Sequence, residues 1–211
     1  PIAIYLPYGY DPDRAEPYKY VILGHGIAGF ESNWPSQGML GNITDNLIDQ
    51  GLVEPMIVIA TNNRDSDGVY FYSTVNADGS RITSIDGEPE SNAASSANPS
   101  YTKQISQAQP YFMDELIPWL ESHLNVSTNP KDRAFAGLSA GAMCTFNMYI
   151  SNPEDFGYFY CMSGANDNPA QYDLTRPELK TPSLTFGVGI YDRLFFLQVN
   201  PTQNALAAED V

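Results

Sequence analysis

Hydrophobic and polar residues alternate along the chain in a way that predicts strands and helices in turn. Runs rich in β-branched and aromatic residues predict buried strands, at residues 2–6, 18–23, 55–60, 133–137, 158–162 and 183–188. Helical spacing of apolar residues predicts helices at 42–50 and 112–124, and an Ala- and Met-rich segment predicts another at 140–150. Strands that alternate with helices favour a mostly parallel central sheet with helices on both faces, an α/β fold.

One long segment interrupts this pattern. Residues 62–100 are rich in Asn, Asp, Ser, Gly and Ala and show no hydrophobic period. Structureless loops of this length inside a domain usually have a functional role. Three consecutive aromatic residues, Tyr70, Phe71 and Tyr72, lie within it. We expect a single domain spanning residues 1–211, with 62–100 as a long insertion loop inside it.

Composition and charge exclude several classes of protein. The chain has 211 residues, 25 acidic against 10 basic, and a formal net charge of -15. Hydrophobic residues make up 43% and charged residues 17%, which excludes a disordered tail or a coiled coil. The apolar runs are far shorter than the roughly 18 residues of a membrane span. An acidic pI of about 4.2 argues against nucleic acid as a partner, because phosphate binding requires clustered Lys and Arg.

The two cysteines, Cys144 and Cys161, leave two alternatives open. They could form a disulfide in an oxidising compartment, or lie in the core as small buried hydrophobic residues. Neither has a nearby histidine suited to activating a thiol nucleophile.

The sequence Gly137-Leu138-Ser139-Ala140-Gly141 has the G-x-S-x-G pattern. A predicted strand ends at it and a predicted helix follows, which is the context of a nucleophile elbow. Small residues allow the tight turn that exposes the serine hydroxyl, and the helix N-terminus favours developing negative charge. We therefore predict Ser139 as a nucleophile. The alternative is an ordinary strand-to-helix turn in which Ser139 caps the helix.

A second glycine-rich loop, Gly24-His25-Gly26-Ile27-Ala28-Gly29, also follows a predicted strand. Acyl transfer needs two hydrogen-bond donors for the carbonyl oxygen as it becomes an oxyanion. In an elbow architecture one donor is the N–H after the nucleophile, here Ala140, and the other comes from an earlier loop. We predict Ile27 N–H as the second donor and His25 as a brace for the loop. The alternative is a glycine turn shaped only for packing.

A serine nucleophile also needs a base that is oriented by a carboxylate, in the chain order Ser, Asp or Glu, His. Asp192 follows the last predicted strand and is the predicted acid, with Asp167 and Asp173 in reserve. Alternatively, Asp192 is one loop residue on a very acidic surface. The only histidines, His25 and His123, both precede Ser139, so no base follows Asp192 in this chain.

Taken together, these motifs resemble the esterase D-like α/β-hydrolases of carbohydrate esterase family 1, which include feruloyl and acetylxylan esterases. The matching segments occur in the order found in that family and cover most of the chain. They are residues 5–7 with 9–10, 23–29, 33–34, 45–48, 55–58, 115–118, 133–141, 152–156 and 163–164.

The resemblance implies an α/β-hydrolase that hydrolyses a carboxylic ester on plant cell-wall polysaccharide such as xylan, with no metal or organic cofactor. By position it makes Ser139 the nucleophile, Asp192 the acid, and Ile27 and Ala140 the oxyanion donors. It places the histidine after Val211, so we expect a natural chain that continues into a final strand and helix. Tyr70, Phe71 and Tyr72 are weak candidates for stacking on an aromatic acyl group. The expected location is secreted.

Two other functions remain open at the level of sequence. The missing histidine would also suit a non-catalytic carbohydrate-binding or scaffold domain that keeps a hydrolase shell, since fold does not guarantee activity. An esterase acting on small acylated metabolites would keep the chemistry and change the substrate. Oligomeric state and acyl specificity cannot be derived from these residues.

Overall fold

The computed structural model describes residues 1–62, 110–165, 169–192 and 196–211. Within them six strands form one sheet in the spatial order β1-β3-β2-β4-β5-β6. The strands are β1 (Ile2–Tyr5), β2 (Lys19–Gly24), β3 (Met56–Thr61), β4 (Arg133–Leu138), β5 (Tyr158–Met162) and β6 (Ser183–Gly187). Each coincides, within two residues at either end, with a predicted strand.

All strands except β1 run parallel, and β1 pairs antiparallel with β3 at one edge of the sheet. The register brings the carboxyl ends of the parallel strands to one edge: Gly24 lies opposite both Thr61 and Gly137, and Met162 lies opposite Leu138 and Gly187. Ligands of open α/β sheets bind at this carboxyl edge. The loops that carry the predicted site residues therefore all begin there.

Helices cover both faces of the sheet, as predicted. The α-helices are α1 (Asn33–Ser36), α2 (Leu40–Asp49), α3 (Ile117–His123), α4 (Ala140–Ser151) and α5 (Phe196–Ala208), and a π-helical segment, Pro110–Leu116, leads into α3. Residues of α3, α4 and α5 share one apolar cluster with Ile22 and Phe135 of the sheet. Trp34 and Leu40 pack on the opposite face against Leu23, Val58 and Ala136.

Helix α4 is buried almost all round, which explains why its sequence lacks a polar stripe. Its few polar side chains have partners inside the protein. The Tyr149 hydroxyl donates to the Leu179 carbonyl at 2.9 Å, and Asn147 accepts from the Tyr172 hydroxyl at 3.0 Å. Because the helix that begins at Ser139 is held on all sides, the start of that helix is a rigid support for a site.

Several expectations have direct outcomes here. Cys144 and Cys161 are both buried free thiols, so the disulfide alternative is not realised. No helix within the described ranges is long and apolar enough to cross a membrane. Apart from Asn62, the expected insertion 62–100 lies outside the described residues, together with Tyr70, Phe71 and Tyr72. The single-domain assignment and the expected continuation after Val211 stay predictions.

Candidate active site

Ser139 stands in the turn between β4 and α4 with a backbone conformation that is rare for a residue with a side chain. Its φ is 55° and its ψ is -112°. The turn is fixed by backbone hydrogen bonds: Ser139 N–H donates to the Met162 carbonyl at 2.9 Å, and the Ser139 carbonyl accepts from Met143 N–H at 3.0 Å. Ser139 is the N-cap residue of α4 by position, but its side chain makes no capping hydrogen bond, so capping does not account for a serine here. Strain of this kind is concentrated at functional sites.

The flanking glycines permit the tight turn. A Cβ on Gly137 would lie 2.3 Å from the Gly141 backbone, and one on Gly141 would lie 2.7 Å from the Gly24 carbonyl oxygen. The end of β4, the start of α4 and the end of β2 therefore meet with no room for side chains. This close approach is the physical reason for the G-x-S-x-G spacing.

Replacing Gly137 with alanine is expected to lower the free energy of unfolding by at least about 3 kcal/mol, at the upper end of overpacking costs, because the obstructing atoms are backbone. Gly41→Ala is the control. Its added methyl would meet only a Tyr5 ring carbon, at 3.9 Å, and Gly41 lies within α2. That variant should be unchanged or up to about 1 kcal/mol more stable. Urea unfolding measures both, and equal stability of the two variants would contradict the crowding described above.

The glycine-rich loop after β2 lies directly against the elbow. A Cβ on Gly26 would be 3.5 Å from Ser139 Cβ and 4.0 Å from Ser139 Oγ, which is ordinary contact. Packing alone therefore does not require glycine at position 26. Gly29 differs, since a Cβ there would lie 2.7 Å from His25 Nδ1. Gly29 N–H donates to the Gly26 carbonyl at 3.1 Å and closes a turn in which Ala28 has a φ of 59°.

The two predicted oxyanion donors belong to these two loops. Ala140 is the first residue of α4, where backbone N–H groups have no partner within the helix and the helix dipole is positive. Ile27 follows Gly26, and its side chain is 57% exposed, so the side chain takes no part in packing the core. The placement of both residues beside Ser139 in the fold is compatible with their predicted role, which stays a prediction.

Asp192 follows β6 at the carboxyl edge of the sheet. Its N–H donates to the Gly189 carbonyl at 2.9 Å, which forms a turn, and the residue is half-buried. The two residues before it, Ile190 and Tyr191, are largely exposed. Asp192 therefore follows the second parallel strand beyond that of Ser139, where the sequence analysis expects the acid. Its role as the acid is not tested by the structure.

The reserve acid Asp173 is engaged elsewhere. Its carboxylate accepts from Thr175 Oγ1 at 2.6 Å and from Thr175 N–H at 3.0 Å. The hydrogen bond from the Thr175 side chain, followed by that from its backbone, lowers the pKa of Asp173 below its ordinary value. This local turn accounts for the aspartate without any catalytic role. Asp167, the other reserve, lies outside the described residues.

Neither histidine is placed as a base would be. His25 is 2% exposed, and its ring nitrogens face the Gly26 carbonyl oxygen at 2.6 Å and Asn62 Oδ1 at 3.3 Å. His123 ends α3, where its ring stacks on Trp119 and its Nδ1 lies 2.9 Å from the Trp119 carbonyl oxygen. The base expected after Val211 concerns residues that this chain does not contain, and it stays a prediction.

Other nucleophile or metal chemistry finds little support in the described part of the chain. Burial, with a smaller contribution from neighbouring Cys144, raises the pKa of the Cys161 thiol far above its ordinary value. A thiol in that state is a poor nucleophile. Among the residues that the structure describes, no group of three or more His, Cys, Asp or Glu side chains could hold a metal ion.

Three supporting residues had no role in the sequence analysis, although two of them, Trp34 and Gly164, lie in segments that match the family. Trp34 Nε1–H donates to the Gly24 carbonyl at 3.1 Å and Asn62 contacts His25, so both hold the glycine-rich loop. A Cβ on Gly164 would lie 2.8 Å from the Ser139 carbonyl oxygen. Asn62 and Gly164 each follow the carboxyl end of a strand, which is the signal that could have found them.

The comparison with protein families decides the assignment. The model of the Esterase family matches residues 1–176, from β1 into the connection between β5 and β6. The chain belongs to the Esterase family. The matched part of this esterase includes Ser139 and the glycine-rich loop, and it ends before Asp192.

Curated relatives of this esterase are larger proteins. It is 30% identical over 171 residues, 80% of its length, to an endo-1,4-β-xylanase/feruloyl esterase of Xylanibacter ruminicola. It is 26% identical over 172 residues, 76% of its length, to endo-1,4-β-xylanase Y of Acetivibrio thermocellus. The matched part makes up 20% of the first protein and 12% of the second, so the chain spans a small share of the relatives it matches.

Solved structures share the fold of this esterase. A mutant of the feruloyl esterase module of Clostridium thermocellum, complexed with sinapinate, superposes with a TM-score of 0.71 at 19% identity, over 98% of this chain and 68% of that one. A ferulic acid esterase of carbohydrate esterase family 1 from Anaeromyces mucronatus, in complex with ferulic acid, superposes with a TM-score of 0.70 at 18% identity. The match covers 99% of this chain and 73% of that one. S-formylglutathione hydrolase from Staphylococcus aureus superposes with a TM-score of 0.62 at 12% identity, over 100% of this chain and 81% of that one. The predicted α/β-hydrolase fold and the resemblance to family 1 esterases are confirmed.

Proposed function

We propose that this protein is a serine carboxylic-ester hydrolase that removes feruloyl groups from plant cell-wall polysaccharide such as xylan. The observation that carries the proposal is the strained Ser139 turn, packed against the Gly26 loop at the carboxyl edge of the sheet. The sequence similarity to a xylanase/feruloyl esterase supports the feruloyl group and the polysaccharide. The partner of the protein is then an ester-decorated polysaccharide or oligosaccharide.

The proposed reaction has two steps. Ser139 Oγ attacks the ester carbonyl carbon while a histidine base, oriented by Asp192, accepts the hydroxyl proton. Backbone N–H groups of Ile27 and Ala140 bind the oxyanion. Collapse of the tetrahedral intermediate expels the sugar hydroxyl, which takes the proton from the histidine, and leaves a feruloyl ester on Ser139. Water then attacks that ester by the same route, releases ferulate and restores the serine.

Secretion follows from the substrate as a further proposal. A cell-wall polysaccharide lies outside the cell that degrades it, and the net charge of -15 suits a soluble extracellular protein. Fractionation of a culture of the source organism tests this. Recovery of the protein only from the cell contents would contradict it.

Release of acids from defined esters tests the function. The natural full-length protein should release ferulate from methyl ferulate and from feruloylated xylan oligosaccharides. Release of acetate alone, from acetylated xylan, would support the proposed serine-esterase mechanism but show that the acyl group removed is acetyl and not feruloyl. Hydrolysis of small acyl thioesters alone would favour a metabolite esterase. Binding of xylan without any hydrolysis would favour the non-catalytic shell.

A further inference from the structure

Resting on the proposed function, we propose that His25 is a positioning residue: through its Nδ1–H it fixes the Gly26–Ile27 peptide so that Ile27 N–H faces the oxyanion. His25 is buried, and its Nδ1 lies 2.6 Å from the Gly26 carbonyl oxygen. A carbonyl oxygen can only accept a hydrogen bond, so Nδ1 is the ring nitrogen that carries the hydrogen.

The link from the ring to the donor runs through one peptide group. The chain has no cis peptide bond among its described residues, so the Gly26 C=O and the Ile27 N–H belong to a planar trans unit and point in opposite directions. The Gly26 carbonyl is held by two donors, His25 Nδ1–H and Gly29 N–H. With the carbonyl turned toward the buried ring, Ile27 N–H points away from it, on the loop that contacts Ser139.

Besides the Gly26 carbonyl, Asn62 and Gly29 also hold the ring. Its Nε2 lies 3.3 Å from the side chain of Asn62, at the carboxyl end of β3. Gly29 packs so close that a Cβ there would lie 2.7 Å from Nδ1. The His25 backbone carbonyl lies against Gly141 of α4, where an added Cβ would be 2.8 Å away. The ring is thereby fixed relative to its own loop and to the end of β3, while the His25 backbone packs against the elbow.

Two substitutions separate this role from a general loss of packing. In His25→Asn the side-chain amide nitrogen takes the place of Nδ1, whereas in His25→Gln the amide lies near the place of Nε2 and the donor to Gly26 is lost. Since removal of one oxyanion donor costs about 10²–10³-fold in kcat, we expect His25→Gln to lose about 10²-fold with KM within about threefold. His25→Asn should recover activity to within about tenfold of the wild type. His123→Gln, on the surface of α3, is the control and should be unchanged.

The decisive readout is the ratio of kcat/KM for 4-nitrophenyl acetate to that for its thionoester, in which sulfur replaces the carbonyl oxygen. Sulfur is a weak hydrogen-bond acceptor, so this ratio reports on the oxyanion donors. It is also independent of the fraction of folded enzyme. In the natural full-length protein this ratio should fall at least about tenfold in His25→Gln, in line with the contribution of one oxyanion donor. In His25→Asn it should return toward the wild-type ratio. An unchanged ratio in His25→Gln, or no recovery in His25→Asn, would overturn the inference.

A measurement that needs no turnover separates this inference from the proposed function. The ¹⁵N chemical shifts of the His25 ring show which nitrogen carries hydrogen, and Nδ1 is expected to carry it. An Nδ1 without hydrogen would overturn the inference in an active or an inactive protein. If the wild-type protein releases ferulate from neither methyl ferulate nor feruloylated xylan oligosaccharides, the proposed function fails, and with it the catalytic role of His25, whatever the ring shows.

Discussion

Replacing Ser139 with alanine is expected to lower kcat for ester hydrolysis by at least about 10⁴-fold, because the acyl-enzyme can no longer form. The structure places this serine in the strained turn between β4 and α4, with a φ of 55° and a ψ of -112°. Release of ferulate from methyl ferulate by the natural full-length protein, under single-turnover and steady-state conditions, measures the loss.

Ser163 offers a matched control for this substitution. It also follows a strand at the carboxyl edge, has a φ of 46°, and is tied by its N–H to the Gly187 carbonyl at 2.6 Å. Ser163→Ala should keep kcat within about threefold of the wild type, as expected for a serine near the elbow whose hydroxyl has no part in the chemistry. A similar loss in both variants would mean that this edge was disturbed and that Ser139 has no special role.

The strained backbone at Ser139 should also affect the stability of the folded protein. Alanine keeps the strained positive φ, whereas glycine adopts it without cost to the folded state. Relief of this strain should raise the free energy of unfolding of Ser139→Gly by about 1–2 kcal/mol relative to Ser139→Ala, which keeps the strain. The greater chain entropy of unfolded glycine offsets part of this gain. A Ser139→Gly variant that is less stable in urea than Ser139→Ala by about 0.5–1 kcal/mol, the entropic cost of glycine alone, would show that the turn stores no strain.

The order of strands and helices could be predicted from the sequence because each element has its own local signal. The β-branched run at 55–60 became β3, whose residues from Ile57 to Thr61 are all buried, as in a parallel strand covered on both faces. The antiparallel direction of β1 could not be derived, because strand direction depends on which neighbour a strand pairs with and not on its own residues. The π-helical segment before α3 likewise leaves no signal in the spacing of apolar residues.

The site could be predicted where a motif has a steric cause. Gly137 and Gly141 are required by backbone contacts below 3 Å, so their spacing, between a predicted strand and a predicted helix, led to Ser139. The contact between His25 and Asn62 joins residues 37 positions apart, and only the pairing of β2 with β3 brings them together. Long-range side-chain contacts of this kind have no periodic signature, which is why Asn62 was missed.

Replacing Asp192 with asparagine is expected to lower kcat by about 10³–10⁴-fold with a smaller change in KM. A triad carboxylate holds the histidine in the tautomer that can accept the serine proton and stabilises the imidazolium that forms, and an amide does neither. The position of Asp192 after β6, in a turn closed by its own N–H, is compatible with this role. Steady-state kinetics with methyl ferulate across pH measures the effect in the natural full-length protein.

Asp173→Asn separates a catalytic acid from the effect of losing one negative charge on a protein with a net charge of -15. Asp173 is exposed, and the Thr175 hydrogen bonds that lower its pKa account for its carboxylate. Because both substitutions remove the same charge, a field effect would act alike in the two variants. We expect Asp173→Asn to retain kcat within about threefold. If Asp192→Asn also retains full activity, another carboxylate must be the acid of this esterase, and Asp167 is the next candidate to replace.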